Sequence, residues 1–425
     1  MKRSIWNKLL DWKNSQERKP LIISGARQVG KTWIMREFGK LEYEDVIYLN
    51  CDDEPHAADL FAADYDMDRI LLQLQAISGV LPRPGKTLII LDELQSVPRG
   101  LASLKYFYEK VPQHHVMVAG SMLGIALHEG TSYPVGKVDK ITLYPMDFRE
   151  FLMATGHNEW AEMIASCRWE ALSIVHDKLV DLLRQYFFTG GMPEVVATFV
   201  KNRNLGQVRQ LQLSLLDAFR NDISKHAPVE QVPRINMVLR SIPSQLAKDN
   251  KKFVYGVLKP GARAREYELA IQWLIDCGIL YKVSRVNEAA VPLAVYEDLS
   301  AFKLYFLDCG LFAAMAGADS EQMLIGNNVF KDFKGAFTEQ FVLQQLLSRG
   351  FSNIYYWTSS ATAEVDFVLQ HKGRVIPIEV KAERNVKAKS LKMLVDAHQD
   401  MRGVRYSMLG YQEQSWVTNY PLYAI

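Results

Sequence analysis

Along the first third of the chain, short unbroken apolar runs alternate with stretches of helical spacing. Strand candidates lie at 21–24, 45–49, 87–91, 115–119 and 139–143. Thr87-Leu88-Ile89-Ile90-Leu91 has no polar alternation, which suits a strand buried on both faces of a parallel sheet. Between the runs, Trp33-Ile34-Met35-Arg36-Glu37-Phe38 has helical spacing and stops near Gly39. Residues 1–18 predict a short amphipathic helix with Ile5, Leu9 and Trp12 on one face. Strands alternating with helices over 19–155 predict a doubly wound parallel α/β sheet.

The pattern then changes twice. Residues 165–225 are mostly helical, interrupted at Thr189-Gly190-Gly191-Met192-Pro193-Glu194. Paired glycines before a proline make a rigid turn that resets a helix start, and such a turn can also aim a helix N-terminus at a nucleotide. Residues 230–290 read as a winged helix. Helical spacing runs through Ile235, Val238, Leu239, Ile242 and Leu246, and a second helix, 266–277, steps into a strand at 279–283. The mixed charge of Arg263-Ala264-Arg265-Glu266-Tyr267-Glu268-Leu269 leaves both packing and DNA contact open. Residues 335–410 predict helix, three strands, helix and strand. The expected domains are therefore 1–155, 156–228, 229–300 and 301–425.

Composition adds limits. A chain of 425 residues, 48% hydrophobic, suffices for two or three cores. Fifty Lys and Arg against 48 Asp and Glu leave a net charge of +2, which neither demands nor excludes nucleic acid. Cys51, Cys167, Cys277 and Cys309 are scattered without a C-x-x-C pair, against a zinc ribbon or disulfide frame and in favour of a cytoplasmic setting. No apolar run approaches the roughly 18 residues of a membrane span, and the basic start, Met1 to Trp6, has no signal-peptide apolar core.

The chemistry concentrates first at Gly25-Ala26-Arg27-Gln28-Val29-Gly30-Lys31-Thr32, which reads G-x-x-x-x-G-K-T between a predicted strand and a predicted helix. This is the phosphate-cradling P-loop. Glycines open backbone turns whose N–H groups point at an anion, and the following helix adds its dipole. Lys31 is expected to reach the β/γ-phosphates of ATP and Thr32 to ligate Mg²⁺. About 60 residues further on, the apolar run ending in Asp92-Glu93 supplies the second half. Asp92 is expected to meet the metal, directly or through water, and Glu93 to act as general base. Ser121, at the tip of 116–121, either touches the γ-phosphate or lytic water or caps the next helix. Asp52 and Asp53 sit near the metal or in a polar loop.

A second constellation lies in the last quarter. Glu364-Val365-Asp366-Phe367 and Ile378-Glu379-Val380-Lys381 alternate, so Glu364 and Asp366 share one face, as do Glu379 and Lys381 on the next strand. Asp366 and Glu379 are 13 residues apart across a hairpin turned at His371-Lys372-Gly373. The helix–strand–strand–strand–helix–strand order with a D…E-x-K signature is the layout of restriction-endonuclease-like nucleases. Its logic is two-carboxylate Mg²⁺ binding beside a lysine, with Glu339 supporting a metal-bound water. The plainer alternative is a half-exposed hairpin with alternating charges.

With these motifs the chain resembles a family of prokaryotic AAA+-related ATPases joined to a C-terminal domain of unassigned function. The resemblance covers nearly the full length. It rests on Ser24 to Thr32, Leu91 to Gln95, Ala119 to Leu123, Tyr133 to Lys137, Leu143 to Leu152, Gly190 to Glu194 and the C-terminal block just quoted. It implies ATP rather than GTP, and no N-K-x-D guanine signature is present. It also implies ring-forming relatives, hence a homo-oligomer or a protein partner. One departure stands out: nuclease motifs usually place Pro before the first Asp, where this chain has Val365. Three functions follow as expectations: an ATPase coupling nucleotide state to domain rearrangement, acting with DNA or RNA; a non-turnover switch; and an ATP-gated nuclease using Asp366, Glu379 and Lys381. Arg149, Arg184 and Arg220 are the arginine-finger candidates.

Overall fold

A computed structural model of the protein describes residues 3–120, 134–248, 251–318, 331–359, 363–382 and 387–425. Two compact units are present. One comprises Lys2–Tyr144 with Asp276–Gly278; the other comprises Pro145–Ile275 with Ile279–Ile425.

In the first unit, five strands form one parallel sheet in the order β2-β3-β4-β1-β5. They are β1 (Leu21–Ser24), β2 (Asp45–Asn50), β3 (Thr87–Asp92), β4 (His115–Ala119) and β5 (Asp139–Thr142). This is the doubly wound P-loop NTPase sheet the periodicity predicts. Central β3 and β4 are buried along their whole length. On one face Ile22, Ile47, Leu49, Ile89, Leu91, Val116 and Val118 pack with Ile70 and Leu74 of α3 (Met67–Ser78) and Leu101, Leu104 and Phe107 of α4 (Gly100–Lys110). Helix α2 (Lys31–Glu42) buries Ile34, Met35 and Phe38. Each such side chain removed from water stabilises the fold by about 1.5–3 kcal/mol. Helix α1 (Trp6–Asn14) buries Leu9 and Trp12, and Ile5 just before it is buried too.

Where β4 starts, burial drives His115 down to about 4, helped by the charges of Arg18 and Lys13. Its Nδ1 lies 2.7 Å from the Tyr43 hydroxyl. The unfolded imidazole takes a proton near 6.5 and the native one resists until about 4. The unfolded state therefore binds more protons between those values, and stability is lost as pH falls through that window. Thermal melts of the full chain followed by circular dichroism should show the midpoint dropping between pH 6.5 and pH 4. The slope should flatten in His115→Phe; an unchanged slope would dismiss His115 as the cause.

The second unit begins with helices over 148–226 and continues through α5 (Val232–Leu246) and α6 (Ala264–Asp276). An eight-stranded sheet follows in the order β12-β13-β11-β10-β9-β8-β6-β7. Its strands are β6 (Leu280–Val286), β7 (Glu297–Phe306), β8 (Ile354–Thr358), β9 (Glu364–His371), β10 (Arg374–Val380), β11 (Gly403–Ser407), β12 (Gln412–Glu413) and β13 (Val417–Pro421). Helices α7 (Cys309–Met315), α8 (Lys331–Ser348) and α9 (Lys389–Asp396) complete the unit. The predicted order from α8 through β8, β9, β10 and α9 to β11 is therefore observed, with β10 antiparallel to β9 and parallel to β11.

One expectation needs correction here. The region 229–300 is not a separate winged-helix domain. The hairpin of β6 with β7 is built into the large sheet, because β6 also pairs in parallel with β8. The expected boundary at 300/301 consequently falls inside β7. The 190–194 turn is held within its own unit. Gly190 has φ of +73°, and a Cβ there would lie 2.1 Å from Asp308 Oδ1. The buried Asp308 carboxylate accepts from Gly191 N at 2.6 Å and Leu311 N at 2.9 Å. The helix that starts at Pro193 has no side-chain cap.

Candidate nucleotide site and C-terminal charge cluster

In a parallel sheet, ligands gather at the carboxyl ends of the strands. Two of the predicted elements end there: the 25–32 loop follows β1, and Asp92 closes β3. The loop turns on backbone conformations that favour glycine, with φ of +142° at Gly25 and +94° at Gly30; Gln28 also has positive φ, at 64°. At Gly25 the requirement is steric as well, since a Cβ would stand 2.2 Å from the Leu143 carbonyl oxygen. Gly30 caps α2 without any side-chain hydrogen bond, so the helix's first N–H groups carry no side-chain cap. Ala26 and Val29 are buried, while Arg27 and Gln28 face outward.

Lys31 is buried, and its Nζ donates to the carbonyls of Gly25 at 3.0 Å and Ala26 at 2.8 Å. Burial pushes its pKa down to about 8, against the upward pull of Glu93 and Asp92. Thr32 Oγ1 donates to Asp92 Oδ2 at 2.5 Å, and the Tyr48 hydroxyl donates to the same oxygen at 3.2 Å. Burial raises the Asp92 pKa; the Thr32 and Tyr48 hydroxyls work the other way. Glu93, one residue past the strand, takes a left-handed conformation with φ of 52°, and Gln95 Nε2 donates to its Oε2 at 2.5 Å. A non-glycine residue there costs about 1–3 kcal/mol and draws attention to function.

The structure thus brings Lys31, Thr32, Asp92 and Glu93 together, as the motifs predict. Ser121 lies outside the described residues. Asn50 closes β2, and its side-chain partner Asp53 lies in the exposed turn that follows, as the polar-loop alternative has it. Three contributors escaped sequence reasoning. Tyr48 shares Asp92 with Thr32, and Gln95 holds Glu93. Arg3 is buried and donates to Val29 O at 3.0 Å and Tyr144 O at 2.6 Å, bracing the loop from the chain's start. Only the alternation in β2 hints at Tyr48; Arg3 sits in no motif.

In the second unit, Glu379 on β10 and Glu339 on α8 are buried and Asp366 on β9 is half-buried beside them. Lys381 Nζ lies 2.5 Å from Glu379 Oε1. Sequence reasoning missed the partners of the remaining acids. Lys251 donates to Glu339 Oε1, and the Tyr305 hydroxyl donates to Glu339 Oε2 at 3.0 Å. Lys303 on β7 is fully buried and donates to Glu364 Oε1 at 2.6 Å. Among the described residues, no group of three or more His, Cys, Asp or Glu is disposed to hold a metal ion. Of the three acids expected to bind metal, Glu339 and Glu379 are in ion pairs and Asp366 accepts the Val380 amide. The finger candidates are paired as well: Arg149 with Asp147 at 3.4 Å, Arg184 with Asp181 at 2.9 Å and Arg220 with Asp217 at 2.8 Å.

Comparison with known proteins agrees with the first unit's geometry. Residues 17–152 match the AAA domain family. Residues 180–322 match a domain of unknown function (DUF8612), and residues 334–423 another (DUF4143). No curated protein matches the chain. Among solved structures, the Walker-type ATPase PABY2304 of Pyrococcus abyssi is similar at 15% identity, covering 74% of this chain and 95% of its own, with a TM-score of 0.46. Drosophila ORC bound to DNA is similar at 16% identity over 74% and 94%, with a TM-score of 0.28. The Thermotoga maritima RuvB Holliday junction branch migration motor is similar at 14% identity over 66% and 89%, also with a TM-score of 0.28. No helix among the described residues is long and apolar enough to cross a membrane. With a P-loop after β1, Asp92 closing β3 and the family match over the same residues, the chain carries an AAA+-like P-loop ATPase domain at 17–152.

Proposed function

We propose that this protein binds ATP with Mg²⁺ at residues 25–32 and hydrolyses it, coupling nucleotide state to a rearrangement of its domains. The observation that carries this reading is the Thr32–Asp92 hydrogen bond beside Lys31, because it juxtaposes the metal and phosphate sides of the site. The residues suit the ligands. The glycine-dependent turn offers main-chain donors, and the Lys31 ammonium rests on carbonyls instead of a carboxylate. The Thr32 hydroxyl and Asp92 carboxylate are the hard oxygen donors that magnesium prefers. Magnesium, when bound, neutralises charge on the phosphate oxygens. Lys31 orients the β/γ-phosphates, Asp92 holds Thr32 in place through its hydroxyl, and Glu93 accepts a proton from water. Tyr48 and Arg3 are positioning residues. Ser121 retains its two readings, contact with the γ-phosphate or helix capping. We assign the helices over 156–228 to transmit the nucleotide state.

An arginine supplied by a second copy would add to the positive charge of Lys31 at the transferred phosphate. The pairs of Arg184 and Arg220 lie three residues apart on exposed helix faces, and such pairs are worth about 0–1 kcal/mol. Either arginine is therefore cheaply released to a phosphate held by a second copy. An arginine finger accelerates phosphoryl transfer by about 10³–10⁵. Phosphate release measured across protein concentration should rise per chain. A rate independent of concentration would remove the finger in trans. If no ATP turnover occurs at any concentration, the switch alternative replaces hydrolysis. Adding DNA or RNA to the same assay addresses the nucleic-acid alternative, for which exposed Lys259, Arg263 and Arg265 around the start of α6 provide the charge.

A further inference from the structure

The acids of the C-terminal unit were expected to hold Mg²⁺, yet their oxygens already have protein donors. Glu339 accepts from Lys251 through one oxygen and from Tyr305 at 3.0 Å through the other. Lys303 Nζ stands 3.7 Å from that second oxygen and 2.6 Å from Glu364 Oε1. It also lies 4.7 Å from the centre of the Tyr356 ring, in a position sealed from solvent. Asp366 Oδ2 accepts the Val380 amide at 2.7 Å. Glu379 keeps one buried oxygen, Oε2, without a hydrogen-bond partner. A single such oxygen falls short of the one or two whole carboxylates through which a protein holds Mg²⁺, and further short of the ligand set of Ca²⁺.

Charge accounting points the same way. Four carboxyl groups (Glu339, Glu364, Asp366 and Glu379) face four cationic side chains: Lys251, Lys303, Lys381 and, on the strand beside Glu379, Arg405. Burial opposes ionisation of Glu339, but Lys251 and Lys303 outweigh it and hold the carboxyl down to about 2. A divalent ion would have to displace the lysines from these carboxylates.

We infer that Lys251 and Lys303 occupy the place of the divalent cations, making the C-terminal cluster a closed ion-pair core with no nuclease metal site. Neither lysine belongs to the D…E-x-K segment. Lys303 comes from β7, and Lys251 from the connector between α5 and α6. The cluster therefore fastens that connector and the edge strand to α8 and β9.

Manganese serves as the probe, titrated by electron paramagnetic resonance into nucleotide-free full-length protein. Wild type and Asp366→Asn should give the same isotherm. The Lys251→Met/Lys303→Met double variant should gain a manganese site that is lost again when Asp366→Asn is added. The inference is overturned if wild type binds an ion that Asp366→Asn releases, or if a folded double variant gains none. Should the double variant not fold, the comparison of wild type with Asp366→Asn decides alone.

Discussion

Lys31→Ala in the full-length chain is expected to abolish ATP binding without weakening the fold. The ammonium is buried and makes no carboxylate contact in the structure; its two acceptors are the loop carbonyls of Gly25 and Ala26. Its depressed pKa, about 8, shows that burial costs more than Glu93 and Asp92 return. Alanine relieves that cost, so the unfolding midpoint should hold or rise. Binding is another matter. A hydrogen bond to a charged group contributes about 1.5–3 kcal/mol, and a lysine between two phosphates makes more than one. An affinity loss of at least about 100-fold follows, and calorimetry with ATP and magnesium should show no heat of association. Retained binding with a Kd within a few-fold of the parent would refute the site, because Arg27, the loop's other cation, faces outward.

Glu93→Gln separates binding from chemistry. Glutamine keeps the shape of the side chain and its contact with Gln95, now amide to amide, at the same backbone turn. It cannot accept a proton. General-base assistance is worth about 10²–10⁴ in rate, so phosphate release should fall by that factor while the calorimetric Kd for ATP stays near the parental value. Hydrolysis at the parental rate would take the base role from Glu93. The left-handed φ of 52° adds a structural reason for the assignment. The chain accepts a strained residue immediately after a fully buried strand, and this places the carboxylate beyond the sheet edge.

The two halves of the molecule differed in how legible they were. All five strands of the first sheet were read within a residue or so of their ends; for central β3, burial on both faces of a parallel sheet demands a continuous apolar run. The P-loop was equally legible, since its turns depend on glycines at Gly25 and Gly30, whose positive φ values other residues rarely adopt. In the second unit the order of elements was correct, but the partners of the acids were not legible. Alternation along β9 and β10 placed Glu364 with Asp366 and Glu379 with Lys381 on shared faces. It carried no information about which charges would arrive opposite them. Nor did it show that β6 and β7, read as the wing of a small domain, would join the large sheet through β8.

From sequence alone one could establish a phosphate-binding turn, its acidic counterpart, and a sheet to carry both. These are local properties: strand and helix periods, glycine-dependent dihedrals, and motifs whose donors lie within one turn of chain. Only the tertiary structure decided which charges meet. Arg3 reaches Val29 across 26 residues and Tyr144 across 141. Lys303 reaches Glu364 across 61, and Lys251 reaches Glu339 across 88. Buried ions must be paired, but the partner is whichever side chain the packed elements bring within a few ångströms, and no spacing along the chain encodes that distance.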